Sequence, residues 1–257
     1  MTQEREPIPE RLRFRYTKTG RIRYISQRDV ARSWERALRR AHLPVAYSEG
    51  FSPRPLLSFS LALPTGCESQ AEFVDIRFAT GVEALAGESG DLSEVVALLD
   101  SMMPEGLEVV SAHSLNGSKG SLQEEVTLCS WIVEVSGMGD VELTERVKHL
   151  LAAEHLPIER ERKGRKVNDD LRPSVCDLVV EGPGSRPGAV RLSAELATKP
   201  RGVRPAELLS VLDSSVRLVR ASRSAQFIEI EGSRVEPLTE DGRLYGATTQ
   251  PAAMSSS

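Results

Sequence analysis

Arginine is concentrated in one early stretch of the chain, and its spacing there limits what that stretch can fold into. Between Arg11 and Arg54 there are twelve Lys and Arg residues against three Asp and Glu, a balance of +9. The whole 257-residue chain has a formal net charge of −4, so the remainder is strongly acidic. Eleven of the twelve cations are arginines, whose planar guanidinium group suits phosphate. Such segregation indicates a local anion-binding surface.

The first run of arginines has the two-residue period of a β-strand. From Arg11 to Tyr16, arginine alternates strictly with an apolar residue, which predicts a strand with one arginine face and one apolar face. A turn at residues 17–20 and a second alternating run from Arg21 to Ile25 predict a hairpin. Arg13 and Arg15 are therefore candidate phosphate contacts.

The next run has helical spacing. Ser26 is placed to cap a helix that runs to about Ala41, with Asp29 as the acidic third residue. One face of this helix carries the apolar residues Val30, Trp34, Ala37, Leu38 and Ala41. The opposite face carries Arg28, Arg32, Arg36 and Arg39. Two interpretations stay open for that face: a surface for a phosphate backbone, or a solvated arginine-rich face.

A stiff loop follows the helix. Tyr47 to Pro55 contains Gly50, Pro53 and a second proline, which exclude regular structure. Within this loop Phe51 is the best candidate to stack on a base, and Arg54 is a second nucleic-acid contact. The alternative is a rigid connection between strands. For Tyr16 and Tyr24, core packing is the favoured interpretation.

The remaining pattern predicts an α+β fold with two units of the same element order. Strand, helix, strand, strand, helix and strand follow one another in residues 11–113 and again in 126–231, with a linker at 114–125. Two ferredoxin-like β-α-β-β-α-β units in tandem are the economical interpretation. We expect a flexible lead-in at residues 1–10 and a disordered tail at 232–257.

Several functional classes are excluded by what the sequence lacks. No apolar run reaches 18 residues, and the first residues lack the apolar segment of a secretory signal. Cys67, Cys129 and Cys176 are an odd and scattered set, which fits a reducing cytoplasm. Phosphate-loop, dinucleotide and zinc-protease motifs are missing. We therefore expect no resident metal or cofactor, and no catalytic residue can be named.

Residues 21–69 resemble the radical SAM-linked protein family, whose domain is called DUF2344. The matching strings are Tyr24 to Asp29, Arg36 to Ala41, Pro44 to Pro55 and Leu63 to Ser69, with weaker matches over most of residues 11–230. They include the motif residues Ser26, Asp29, Tyr47, Gly50 and Pro53. This chain has Gln27 where the family usually has histidine.

The resemblance implies a partner rather than a reaction. The family looks like a partner of, or a fusion to, B12-type radical SAM proteins, and tends to be encoded beside genes of RNA metabolism. Together with the arginine surface, it leads us to expect a cytoplasmic, non-catalytic RNA-binding adaptor. That adaptor would present tRNA or rRNA to a separate radical SAM protein.

Two alternatives stay open. One is an RNA-modifying or RNA-processing enzyme acting on its own, with Asp29 or Asp169 as the carboxylate to suspect. The neighbouring Asp169 and Asp170 point to opposite faces of a strand, so they are poorly placed to share a substrate. The other alternative is a protein–protein scaffold whose arginine face docks on an acidic partner.

Overall fold

A computed structural model describes residues 10–81, 85, 91–115, 120–162 and 164–239. The elements of the first half are β1 (Glu10–Lys18), α1 (Gln27–Arg40), β2 (Leu57–Phe59), β3 (Glu68–Phe78), α2 (Ser93–Met102) and β4 (Leu107–Ser114). Those of the second half are α3 (Leu122–Glu125), β5 (Val126–Ser136), α4 (Asp140–Ala152), β6 (Pro157–Arg162), β7 (Arg165–Asp170), β8 (Val175–Pro183), β9 (Val190–Ala197), α5 (Pro205–Leu212), β10 (Arg217–Ile230) and β11 (Ser233–Val235).

Nine strands form one mixed sheet, so the predicted α+β class is confirmed. The strand order is β4-β1-β3-β10-β5-β9-β8, with β2 added on β3 and β11 on β10. Within the first half the order is β4-β1-β3-β2, and within the second it is β10-β5-β9-β8, with every pairing antiparallel. The halves join through β3 and β10, which run parallel. The hairpin β6–β7 lies outside this sheet.

Two clusters of buried side chains hold the helices against the sheet. In the first, the apolar stripe of α1 lies against β1: the Trp34 ring centroid is 5.7 Å from that of Phe14 and 5.4 Å from that of Tyr16. The second cluster joins α4 and α5 to β5, β8 and β9. It also takes in Ala71 and Phe73 of β3, so the core of the second half extends into the first.

The hairpin predicted at Arg21–Ile25 is wrong, because residues Gly20–Tyr24 form a 3-10 helix. Both edges of β1 are already paired, with β3 on one side and β4 on the other. A third partner strand therefore has no place beside it. The chain turns at Gly20, whose φ of +66° favours glycine.

The end of the described chain is ordered differently from the expected tail. Residues 1–9, 116–119 and 240–257 lie outside the described residues, and with them most of the predicted lead-in and tail and part of the linker. Residues 233–235, however, pair with β10, and Leu238 is fully buried. Arg15 of β1 donates to the Glu236 carboxylate and the Leu238 carbonyl, and Ser111 of β4 donates to the Thr239 carbonyl, so the segment is bound to the sheet. Among the described helices, none combines the length and apolar character needed to cross a bilayer.

Candidate functional site

The arginine face of α1 is exposed along its whole length. Arg28, Arg32, Arg36, Arg39 and the adjoining Arg40 all lie at the surface. Arg32 pairs with Asp29 at 3.2 Å, and Arg36 donates to the hydroxyl of Ser33. Within the described part of the chain, Arg28, Arg39 and Arg40 make no ion pair. We call these five residues the α1 arginine face.

The start of α1 is held as the sequence predicts. The Ser26 hydroxyl accepts a hydrogen bond from the Asp29 backbone N–H and donates to the Asp29 carboxylate at 2.7 Å. These bonds, together with the Arg32 guanidinium, lower the pKa of Asp29. The Asp29 carboxylate thus supports the Ser26 cap and pairs with Arg32.

Gln27, the departure from the resembled family, lies in hydrogen-bonding contact with the hydroxyl of Tyr16. Tyr16 is 2% exposed and packs edge-on against Trp34, and burial raises its pKa well above the usual value. A buried hydroxyl needs a partner, which an amide supplies as well as an imidazole does. Gln27 therefore contributes to the surroundings of a buried hydroxyl in the core.

A groove runs between the second half of α1 and the end of α2. Its volume is about 320 Å³. One wall consists of Ser33, Arg36, Arg39 and Arg40, and the other consists of Met102, Met103 and Pro104. The groove therefore sets three guanidinium groups opposite two thioethers and a proline ring. We call it the α1–α2 groove.

The strand arginines are not part of the α1 arginine face, and the prediction that they contact a nucleic acid is wrong. Arg13 and Arg15 are each 3% exposed. Arg13 binds both oxygens of Asp75, at 2.7 and 3.0 Å. Arg15 donates to Glu236 at 3.0 Å and to the carbonyl of Leu238.

The predicted alternation of β1 is correct; what differs is the cover on its polar face. Leu12, Phe14 and Tyr16 face α1, so the arginines face the opposite side of the sheet. Residues 236–239 lie over that side, and the guanidinium groups of Arg13 and Arg15 are paired with the carboxylates of Asp75 and Glu236. Sequence spacing alone cannot reveal a cover so distant in the chain.

The loop from Tyr47 to Pro55 is stiff and projects an aromatic ring. Tyr47 and Pro55 form an isolated β-bridge, and the Ser48 backbone N–H donates to the Arg54 carbonyl at 2.9 Å. Gly50 has a φ of +116°, which side-chain-bearing residues rarely adopt. Phe51 at the tip is fully exposed, and Pro53 and Arg54 are exposed too. The loop residues are placed where a stacking partner can reach them.

Tyr24 contradicts the expectation of core packing, because it is 62% exposed. The Arg23 guanidinium lies 4.8 Å from its ring centroid and donates to its hydroxyl. Arg23 also pairs with Glu68, which binds Arg220 and the backbone N–H of Gly20 as well. Burial alone raises the pKa of Glu68, but the hydrogen bonds from the two arginines outweigh it and lower that pKa.

A buried charge cluster at the junction of the halves is invisible to sequence reasoning. Arg223 of β10 is 2% exposed and donates to Glu72 of β3 at 3.0 Å, while its guanidinium lies 5.0 Å from the Trp131 ring centroid. Burial raises the pKa of Glu72, against the pull of Arg223, and burial lowers the pKa of nearby Lys18. Arg223 also lines a pocket of about 140 Å³ between the halves.

The acidic residues suspected of catalysis have structural partners. Asp169 binds Arg160 and lies 3.1 Å from Arg201. Asp170 binds the His155 ring at 2.8 Å and accepts from two backbone N–H groups. In the described ranges, no group of three or more His, Cys, Asp or Glu residues is arranged to hold a metal ion.

Comparisons with known proteins place a family match over most of the chain. Residues 11–205 match the family described as "Uncharacterized protein conserved in bacteria (DUF2344)". A search of curated proteins finds no match.

Two solved structures are similar at low identity. One is described as the crystal structure of a Cbf5-Nop10-Gar1 complex, with a TM-score of 0.43 and 11% identity over 83% of this chain and 49% of that chain. The other is an archaeal box H/ACA sRNP Nop10-Cbf5 complex, with a TM-score of 0.41 and 9% identity over 82% and 46%. This chain spans about half the length of each.

Proposed function

This chain belongs to the DUF2344 family of proteins conserved in bacteria, and we propose that it is an adaptor that binds RNA through the α1 arginine face. The observation that carries the proposal is the set of five exposed guanidinium groups on one helix, four of them without an ion pair in the described residues. Arginine-rich faces neutralise the phosphates of nucleic acids, which supply the largest part of non-specific affinity.

The charge on α1 is unfavourable without an anion. Arg28, Arg32 and Arg36 are four residues apart, and each neighbouring pair of like charges costs about 0.2–0.5 kcal/mol. Asp29 offsets part of this through Arg32. A bound phosphate backbone removes the rest, which supports an anionic partner over a bare solvated face.

The loop from Tyr47 to Pro55 supplies a second contact in this proposal. Phe51 is exposed at its tip, and Arg54 is exposed beside it. An aromatic ring that no other side chain covers is suited to stack on an unpaired base or an RNA turn. The α1 arginine face would bind phosphates while Phe51 contacts a base.

The partner and the setting are part of the proposal as well. The resemblance to radical SAM-linked proteins supports a separate radical SAM enzyme as the recipient of a bound tRNA or rRNA, in the cytoplasm. The equal strand orders of the two halves support tandem ferredoxin-like units as the scaffold. An adaptor is favoured over an enzyme because Asp29, Asp169 and Asp170 have structural partners.

The test is RNA affinity as a function of salt. The double variant Arg32→Glu/Arg36→Glu should weaken binding of a tRNA at least about tenfold and flatten the dependence on salt, because fewer counterions are released. A matched control is Arg186→Glu/Arg191→Glu, which makes the same charge change at exposed positions near β9. Unchanged affinity and slope in the α1 variant, or equal losses in both variants, would defeat the assignment.

A second experiment separates RNA binding from protein docking. We expect capture of the radical SAM partner to be strengthened by RNA. Capture that is the same before and after nuclease treatment would support the scaffold alternative instead.

A further inference from the structure

The α1–α2 groove combines features that a phosphate surface alone does not need. We propose that it seats one unpaired nucleotide of a single strand, with the phosphate on its arginines and the base on its methionines. This inference rests on the proposed RNA binding and narrows it from any polyanion to single-stranded RNA.

The cationic wall is built for an oxyanion. Arg39 and Arg40 are exposed and make no ion pair or side-chain hydrogen bond among the described residues, so their donors are free to bind. Arg36 is oriented by its hydrogen bond to the Ser33 hydroxyl, at 3.3 Å. Ser33 is in turn fixed by donating to the Asp29 carbonyl at 3.1 Å. One arginine is thus held in place beside two that can adapt, which suits a phosphate approached from several directions.

The opposite wall is apolar and soft. Met102 and Met103 are half-buried, packed at the edge of the first core cluster, and Pro104 is exposed beyond them. The Met103 backbone N–H donates to the Asp100 carbonyl at 3.0 Å, so this wall is held at the end of α2. Thioethers make favourable contacts with aromatic rings. A nucleobase has such a ring, whereas a bare phosphate gains nothing from this wall.

The size and composition of the groove favour an unpaired nucleotide over a duplex. About 320 Å³ is at the lower end of the range for small-molecule pockets, near that of one nucleotide. In an A-form duplex the bases are stacked inside and cannot turn onto an apolar wall. The acidic neighbours along the chain, Glu35 and Glu105, are absent from the lining, so the groove keeps its positive charge.

The experiment compares three RNA probes on the full chain by fluorescence anisotropy. The probes are a single strand of about 12 nucleotides, its duplex and an abasic strand of the same length, within the site sizes of single-strand binders. The diagnostic variant is Met103→Gln, which keeps the length of the side chain and removes its apolar end. It should weaken binding of the base-bearing single strand by about threefold to tenfold, the range that sulfur–ring contacts support. It should leave the affinities for the abasic strand and for the duplex unchanged.

Two further variants each change one exposed arginine, so neither should disturb the fold. Arg40→Gln should weaken binding of both single strands, with and without bases, more than it weakens binding of the duplex. Arg28→Gln, on the same helix but outside the groove, should weaken all three probes equally.

The outcomes separate the two proposals. If Arg28→Gln weakens every probe while Met103→Gln and Arg40→Gln show no preference among probes, RNA binding stands and the nucleotide seat is overturned. Binding of none of the probes overturns both. Binding of an acidic peptide in the groove, with loss on Arg40→Gln and no RNA competition, also overturns the nucleotide seat.

Discussion

Two sets of arginines in this chain have opposite surroundings. Arg13, Arg15 and Arg223 are almost fully buried, and each is paired with a carboxylate inside the fold. The α1 arginine face is exposed, and one of its members pairs with a carboxylate in the described residues. The residue type is the same, so the surroundings decide whether an arginine holds the fold or is free to bind a ligand.

Only part of the positive charge in the early stretch of the chain is available to bind an anion. The early excess of arginine indicates an anion-binding surface. In β1, however, Arg13 and Arg15 already pair with Asp75 and Glu236 inside the fold. Most of the arginines that remain exposed lie on α1, where the helix presents one face to the core and the other outward. The proposed RNA surface is therefore smaller than the charge count suggests: it consists of the α1 arginine face and the exposed loop residues Phe51 and Arg54.

The largest expected effect is on stability, from breaking a buried pair. Arg223→Met leaves Glu72 buried without its cation, and such losses cost about 3–5 kcal/mol in the free energy of unfolding. The same substitution at an exposed position, Arg40→Met, should change that free energy by less than about 0.5 kcal/mol. Urea unfolding followed by circular dichroism measures both. Similar values for the two variants would remove the distinction between the two sets.

A double variant sharpens the result. Glu72→Gln added to Arg223→Met removes the uncompensated charge and should recover part of the lost stability, because the penalty comes from the charge left behind. No recovery would mean that Arg223 acts through its contacts with Trp131 and the carbonyls of Leu61 and Ala62 instead.

How far the sequence predicts this arrangement depends on the separation of the partners. The Ser26 cap and the two faces of α1 depend on residues within a few turns, and both are predicted correctly. The period of β1 is local too, and it is correct. The partner of Arg15, however, lies 221 residues away, and that of Arg223 lies 151 residues away. Local periodicity shows that a strand has two faces but does not show what covers each one.

Tyr24 and the junction pocket illustrate the same limit. The alternation around Tyr24 favours a strand and a buried ring, but the sheet has no free edge there, and the ring is exposed. The pocket beside Arg223 gathers residues from both halves of the chain, including Pro64 and Arg204. No spacing in the sequence joins these segments.

An intermediate effect is expected at the cap of α1. It tests whether RNA binding by the α1 arginine face depends on an ordered first turn of the helix. Ser26→Ala removes the side-chain acceptor for the Asp29 N–H and should cost about 1 kcal/mol. Fraying of the first turn should also loosen Arg28 and Arg32, so RNA affinity should fall about twofold to threefold with no change in charge. Thermal unfolding and anisotropy measure the two effects.

The control for the cap is Ser52→Ala, an exposed serine in the loop from Tyr47 to Pro55 that makes no side-chain hydrogen bond among the described residues. It should leave stability unchanged. If Ser26→Ala lowers stability while RNA affinity stays constant, then the exposed arginines bind without help from the first turn.

The smallest effect concerns an exposed carboxylate and tests the comparison outside the two arginine sets. Hydrogen bonding by the His155 ring, and then by the N–H groups of Leu156 and Arg172, lowers the pKa of Asp170 to about 2. Because an unfolded Asp titrates near pH 3.9, the stabilisation is fully present above about pH 4 and is lost as the pH falls towards 2. Asp170→Asn should slightly reduce the loss of stability between pH 4 and pH 2. It should change stability at pH 7 little, since exposed pairs contribute little. Acid titration of the unfolding midpoint, with Asp177→Asn as an exposed control, measures it. If Asp170→Asn lowered the free energy of unfolding at pH 7 as much as Arg223→Met does, burial would not be what decides how much a paired charge contributes to the stability of this fold.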